Sequence, residues 1–458
     1  MTAAAPQRRA AILVVIIAAV CVVLFPEAAQ RTPVATLFEG ARLIDGTGRA
    51  PVEKSAILVE KGTISRVGTI GQIPLPRGGT RIELTGKTVI PGLVLLHGHV
   101  GYLSGTTFSA DNYTRDTIVD HLNRYLYYGV VAMMSMGTDP GDLPYRLRDE
   151  PHAGAIFRTA GRGIAAPNAS TGNLAMRGVA YGVSTEDEAR GAVRELAVRK
   201  PDFVKIWVDD RNGAVMKLSP RLYRAIIDEA HVRGIRVLAH VYYLADARDL
   251  VEAGVDGFLH LVRDEEMDDG LVRRMKQKNV FVTPNLSTSE AGTYTDKPAW
   301  IDDPVLAESA TSEMMRTVAD TYVARRAAGA PPRQAAMTSY MKQQRSLAKL
   351  NAAGVPIALG DDSGIENTFF GFGEHRELEL MVTAGMTPMQ AIVAATRTPA
   401  ALLRLQTLGT VAQGKSADFV VLDANPLERI ANTRKIASVY QHGQQVDRQA
   451  MRAAWIGR

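Results

Sequence analysis

A single cysteine, Cys21, occurs in 458 residues, and it lies inside an apolar run near the start of the chain. The rest of the sequence has no thiol, so disulfides are excluded there and any metal must be held through nitrogen and oxygen. Charge of one sign is not in excess either. Lys and Arg number 53 against 48 Asp and Glu, a formal net charge of +5, and without a basic block this leaves no nucleic-acid footprint. Long hydrophobic runs are confined to one place. Arg8 and Arg9 precede an uncharged stretch from Ala10 through Phe25, intermediate between a signal-peptide core and a full membrane span. Export is therefore expected, to the periplasm or outside the cell. Residues 1–30 are read as a signal peptide or as an uncleaved anchor that tethers the protein to the membrane through residues 10–25. PEAAQ (26–30) offers no clean small-x-small cleavage triplet, Val20 argues against a lipid-modified Cys21, and the Arg pair and Pro26 argue against a buried soluble helix.

What is present centres on TVIPGLVLLHGHV, residues 88–100. Val89 to Leu96 reads as a strand buried on both faces. Successive strand side chains alternate, so His97 and His99 share one face. Two imidazoles side by side at the carboxyl end of a buried strand can hold a metal ion.

Before this strand, short alternating segments separated by glycine turns (ATLFEGARLIDGTG, SAILVEKGTISRVG, GTRIELTGKTVIPG) suggest a small β-sandwich with too few strands to close its own core. GTVAQGKSADFVVLDANPLERI and IASVYQHGQQV near the other end have the same texture. Residues 31–90 and 405–458 are expected to pair into one satellite domain. The intervening part, 91–404, alternates apolar strands with helices. Strands are read at Val130–Met136, Ala155–Thr159, Phe203–Val208, Val237–Val241, Gly257–Leu261, Val280–Thr283 and Pro356–Leu359. With the His97 strand these make eight and imply an α/β fold, a (β/α)8 TIM barrel. Helix starts are marked by Ser184-x-x-Asp187, Ser219-Pro220 and Thr387-Pro388-x-Gln390. A polar, helix-rich insert at about 285–355 leaves a strand's carboxyl end, where barrel active sites sit. It is read as a lid or as a solvated helical hairpin.

Polar residues interrupt the apolar strands near their carboxyl ends: Lys205 in DFVKIWV, His240 ending VLAH, His260 ending GFLH, and Asp362 after PIALGD. A lysine inside a buried strand is costly unless paired or chemically changed. Lys205 would either pair with Asp362 or a neighbour, or become a carbamate, an anion able to bridge two ions. His121, His152, His231 and His442 read as helix or loop surface.

The H-x-H after the P-G-L strand, the strand lysine, the two later histidines and the strand-8 aspartate resemble the amidohydrolase superfamily. The framing G-T-V-x-x-G-K-x-A-D-x-V-V-L-D adds to the likeness, which covers nearly everything from Ala35 to Val446. DFVKIW, HVYYLADA, HRELELMVTAGMTPMQAI and LGDDSG look most like the branch that includes prolidase-like, imidazolonepropionase-like and ochratoxin-hydrolysing enzymes. The resemblance implies two divalent metal ions, with zinc expected. His97, His99 and Asp362 would bind one and His240 and His260 the second, with carboxylated Lys205 as the bridging ligand. Asp362 would be the catalytic acid and base. The sequence departs from the pattern at Leu95, where many relatives have Asp, at Asp361, where Thr is usual, and in TAGRGIAAPN at the exit of the third strand.

The function expected is hydrolysis of a small-molecule amide or peptide next to a free carboxylate, such as an Xaa-Pro or other dipeptide or an N-acyl amino acid. Tyr242 matches a position that helps hold the substrate carboxylate in the prolidase-like branch. Arg162 is a candidate second anchor; the structural alternatives are Tyr242 capping the barrel rim and Arg162 in a loop salt bridge. His375 opens a helix and either lines the pocket or lies on the helix surface. Alternatives are a cyclic amide, lactone or phosphotriester as substrate, a mononuclear deaminase that would leave Lys205 without a role, and an exported non-catalytic binding protein on the same scaffold. A homo-oligomer is compatible with all of these.

Overall fold

The computed structural model describes Met1, Thr2 and residues 35–294, 296–327, 333–365 and 368–456. The segment read as a signal or anchor lies outside the described residues. Among the described residues no helix is long and apolar enough to cross a membrane. Val34–Arg458 form one compact unit.

The barrel is built from parallel strands. Leu93–Gly98, Val130–Ser135 and Ile156–Thr159 pair side by side, as do Val204–Val208, Val237–Val241, Gly257–Leu259 and Phe281–Thr283. The third and fourth are joined where the Asp202 N–H donates to the Thr159 carbonyl at 3.0 Å. The eighth segment, around Ile357, bridges to Val282 on one side. On the other, the Leu96 N–H donates to the Leu359 carbonyl at 2.9 Å. The long strands are buried along their whole length, as expected of a parallel sheet covered by helices on the outside and filled by side chains within.

Two local readings shift. The helix Glu186–Val198 is capped one residue later than the sequence suggests: the capping box is Thr185 with Glu188, because a Glu three residues after the cap reaches back to its N–H. The sixth strand stops at Leu259, since His260 takes a left-handed conformation, φ 91°, that a strand cannot continue through. The other two helix starts are as read, Pro220–Val232 after Ser219 and Pro388–Ala394 with a Thr387–Gln390 capping box.

Both chain ends meet in a pair of sheets. One has the order Thr63–Thr69, Ser55–Glu60, Thr36–Glu39, Thr80–Glu83. In the other, Thr88–Pro91 runs antiparallel to Phe419–Leu422, which pairs with Ile436–Gln441. Phe38 from the first sheet meets Phe419 and Tyr440 from the second with ring centroids 5.1 and 4.9 Å apart. Burying each such ring contributes about 1.5–3 kcal/mol. The strand that precedes the His97 strand is thus held by the far end of the chain. The insert folds as helices Leu286–Ala291, Ser312–Ala327 and Arg333–Ala353, with single 3-10 turns at Ala299–Asp302 and Leu306–Glu308 between the first two.

Candidate metal centre

His97 ends the first barrel strand facing inward, and the chain then crosses to the eighth segment. The His99 N–H donates to the Ser363 carbonyl at 2.7 Å and the Asp362 N–H to the His97 carbonyl at 3.1 Å. Gly98 is required between the histidines, because a Cβ there would lie 2.9 Å from Leu95 and 3.0 Å from the Tyr125 hydroxyl. Asp362 sits at φ 63°, a conformation that persists only where surrounding contacts impose it. Its Oδ1 lies 3.1 Å from His97 Nε2 and 3.0 Å from His99 Nε2. Ligand atoms of His97, His99 and Asp362 all fall within 4.8 Å of one another.

The donor set fits a cation. With the Asn285 amide oriented so that its nitrogen donates to the Thr283 carbonyl, its oxygen accepts from His97 Nδ1 at 2.7 Å. That contact places the ring proton on Nδ1 and leaves a lone pair on Nε2. Nε2 is buried without a hydrogen-bond partner and faces a carboxylate oxygen. Two opposed lone pairs repel unless a positive charge lies between them, and an oriented second ring nitrogen is the usual support for a ligating histidine.

A second pair stands alongside. His240 Nε2 lies 3.0 Å from Asp209 Oδ2; a proton donated there leaves Nδ1 free as a ligand. The His260 ring is 4.6 Å from that of His240 and 5.0 Å from that of His97, with Nε2 3.8 Å from Asp362 Oδ2. Lys205 is 1% exposed, its Nζ 4.9 Å from the Trp207 ring.

Burial sets the protonation states. It drives His97 down to about 4 against the attraction of Asp362, and His240 down to about 4 against its bond to Asp209, so both are neutral at physiological pH. Burial raises the Asp362 carboxyl, but the facing His97, His99 and His260 more than offset this and hold it well below the usual carboxylate range. Lys205 is pushed by burial down to about 7, with Asp362 opposing and Arg263 adding to the fall.

All six candidate ligands line one cavity of about 700 Å³. Tyr242 lines it too, as do Ser339 and Gln343 of the insert. Arg162 does not reach it. Its Nε donates to the Val179 carbonyl at 2.6 Å and its guanidinium stacks 3.7 Å over Tyr181, in a separate cavity with Tyr145 and Arg199. His375 neither lines the cavity nor lies on the helix surface. It is buried, with Nδ1 2.9 Å from Thr433 Oγ1 and Nε2 2.8 Å from the Tyr128 carbonyl. His121 is likewise buried, accepting from the Gly101 N–H and bonded to the Leu103 carbonyl, and is no surface residue.

Three residues at the site were not singled out from sequence: Asn285, Asp209 and Arg263. Asp209 continues the alternation Lys205, Trp207 on one strand face, a signal that was available. Arg263 follows the apolar pair Leu261-Val262, and its half-buried side chain places Nη2 3.2 Å from His260 Nδ1 while Nε is buried without a partner.

The chain is similar to known proteins over most of its length. The chain is 28% identical to an uncharacterized protein of Mycobacterium tuberculosis over 332 residues, covering 70% of this chain and 75% of the other. It is 26% identical to ochratoxinase of Aspergillus niger over 442 residues, covering 86% and 82%. The crystal structure of a Xaa-Pro dipeptidase with bound methionine superposes with a TM-score of 0.70 at 23% identity, over 90% of this chain and 99% of that one. At that identity the likeness shows the fold. The family match is more direct, because it spans both histidine pairs, Lys205, Asp362 and the strands that frame them. Residues 88–446 match the amidohydrolase family, and the chain belongs to it, a hydrolytic enzyme for amide bonds.

Proposed function

We infer that this enzyme hydrolyses an amide or peptide bond adjacent to a free carboxylate, using two divalent ions, zinc by preference, with carboxylated Lys205 between the two histidine pairs. The observation that carries the reading is the position of Asp362, whose two oxygens face His97 and His99 on one side and His260 on the other, at the floor of an open cavity. Divalent ions held there would supply Lewis acidity, lowering the pKa of water and polarising a carbonyl. Asp362 takes the proton from the attacking water as its oxygen bonds to the carbonyl carbon. It then delivers that proton to the nitrogen as the C–N bond breaks. Neutral His97 and His240 keep their lone pairs available throughout.

The substrate carboxylate is assigned to Arg263 and Tyr242. Both line the cavity, and the guanidinium has a buried N–H without a partner, a donor whose desolvation an anionic ligand would offset. The test is hydrolysis by metal-loaded protein of dipeptides and N-acyl amino acids beside matched lactones and cyclic ureides. Chelator-sensitive release of an amino acid, lost when the substrate carboxylate is amidated and weakened in KM by Arg263→Met, is expected. Cleavage of the lactones or ureides alone would replace the substrate class.

A further inference from the structure

A second, smaller cavity opens beside the metal site. It shares Thr288 and Ile365 with the larger one and is walled by five aromatic rings, Tyr294, Trp300, Tyr322, Phe369 and Phe372. Tyr294 and Tyr322 meet edge to face at 5.5 Å, and the Trp300 ring lies 6.2 and 6.1 Å from Phe369 and Phe372. The wall is braced: Trp300 Nε1 donates to the Tyr294 hydroxyl at 3.2 Å. Charged groups at its edge are engaged with one another, although Arg376 Nε is buried without a hydrogen-bond partner. Arg376 pairs with Glu290 at 2.6 Å and Glu379 at 2.9 Å, and Asp361 Oδ1 accepts the Ser363 N–H at 3.0 Å. The wall that faces a ligand is therefore mainly aromatic, with Glu290, Asp361 and Arg376 at its edge.

Size narrows the occupant. The cavity measures about 140 Å³, and an apolar cavity of about 150 Å³ admits one benzene ring. Position gives it a direction. Tyr242 and Arg263 follow the fifth and sixth strands, whereas this cavity is built from residues after the seventh strand and the eighth segment, and its Asp361 adjoins Asp362 in the chain. A substrate whose carboxylate-bearing amine half lies toward Arg263 extends its acyl half the other way. The geometry points to an acyl-side subsite that takes a single aryl ring, so that the substrates are aryl-acyl amino acids or dipeptides with an aromatic first residue. The substrate class rests on the hydrolytic reading above; the ring-sized pocket does not.

The test compares N-phenylacetylglycine, N-acetylglycine and N-acetylphenylalanine as substrates of the metal-loaded full-length enzyme. A pocket contact of this kind discriminates by about tenfold or more. The expected result is a kcat/KM at least tenfold higher for N-phenylacetylglycine than for N-acetylglycine, with no such gain for N-acetylphenylalanine. Ala291→Phe, which fills the pocket from its wall, should collapse the phenylacetyl-to-acetyl ratio toward one. Trp300→Ala should move the preference from phenyl toward naphthylacetyl. Equal rates for the first two substrates, or a ratio that Ala291→Phe leaves intact, would overturn the subsite. If none of the amides is cleaved, the carboxylate-adjacent substrate class fails, and the pocket is read by calorimetry instead. Phenylacetamide binding to wild type that Ala291→Phe abolishes supports it, and equal weak binding of phenylacetamide and acetamide overturns it.

Discussion

Lys205 gives the sharpest quantitative expectation. An exposed lysine is neutral in fewer than about one molecule in a thousand at pH 7. Here, burial in the fourth strand lowers the ammonium from 10.5 to about 7, a preference for the neutral amine of about 5 kcal/mol relative to water. The amine is then neutral in about a tenth of molecules at pH 6, half at pH 7 and nine-tenths at pH 8. Only the neutral amine adds to CO2, forming an N–C bond and releasing a proton, so carbamate formation should rise with pH in that window. The assay is metal-free protein held at fixed dissolved ¹³CO2, read by carbon NMR at pH 6, 7 and 8, followed by zinc addition and a count of ions per chain. The carbamate signal should grow by at least about ninefold from pH 6 to pH 8, because the neutral fraction rises about that much and the released proton draws the equilibrium further, with zinc uptake rising toward two ions. Lys205→Met should show no signal and retain at most one ion. Absence of labelled carbon at every pH, or a Lys205→Met enzyme with two ions and wild-type turnover, would refute the bridging role.

Other predictions are independent of that one. Asn285→Leu removes the acceptor that fixes the His97 proton on Nδ1; metal affinity by chelator competition should fall about 10- to 100-fold, and unchanged affinity would mean the tautomer is set elsewhere. Asp362→Asn should lower kcat by about 10²–10⁴ while much of the bound metal remains; near wild-type turnover would remove Asp362 from proton transfer. Gly364→Ala places a methyl 1.9 Å from the His99 carbonyl oxygen at φ 89°, so denaturant unfolding should show a loss of about 1–3 kcal/mol or more. No loss would show that the His99 turn yields easily.

The ligand strand was legible because a fully apolar run ends in two histidines and four further candidate ligands interrupt later strand ends, which sets it apart from a pair of surface histidines, and the structure puts His97 and His99 where alternation places them. The positions of the other strands followed from apolar runs separated by helix starts. What escaped depends on contacts between distant elements. Arg162 was read as a pocket residue from its place after the third strand, but the loop turns its guanidinium onto Tyr181. His375 looked like helix surface because no local pattern reveals that Thr433 and the Tyr128 carbonyl close over it. Asn285 left no periodic signal: a single amide just past the seventh strand acquires meaning only when the first strand is beside it. Arg263 and Asp209 carried signals in the sequence, a charge after an apolar pair and an alternating polar position, that were weaker than the histidines around them.

The antiparallel pairing of Thr88–Pro91 with Phe419–Leu422 also sets a constraint on synthesis. The apolar segment just before the first two ligands leaves the ribosome early, and its partner emerges only after the entire barrel. At about 10 residues per second this edge waits roughly half a minute unpaired, the interval in which bare strand edges aggregate. A tag or truncation at the C-terminus, far along the chain from every ligand, therefore acts on how much soluble enzyme a cell can accumulate.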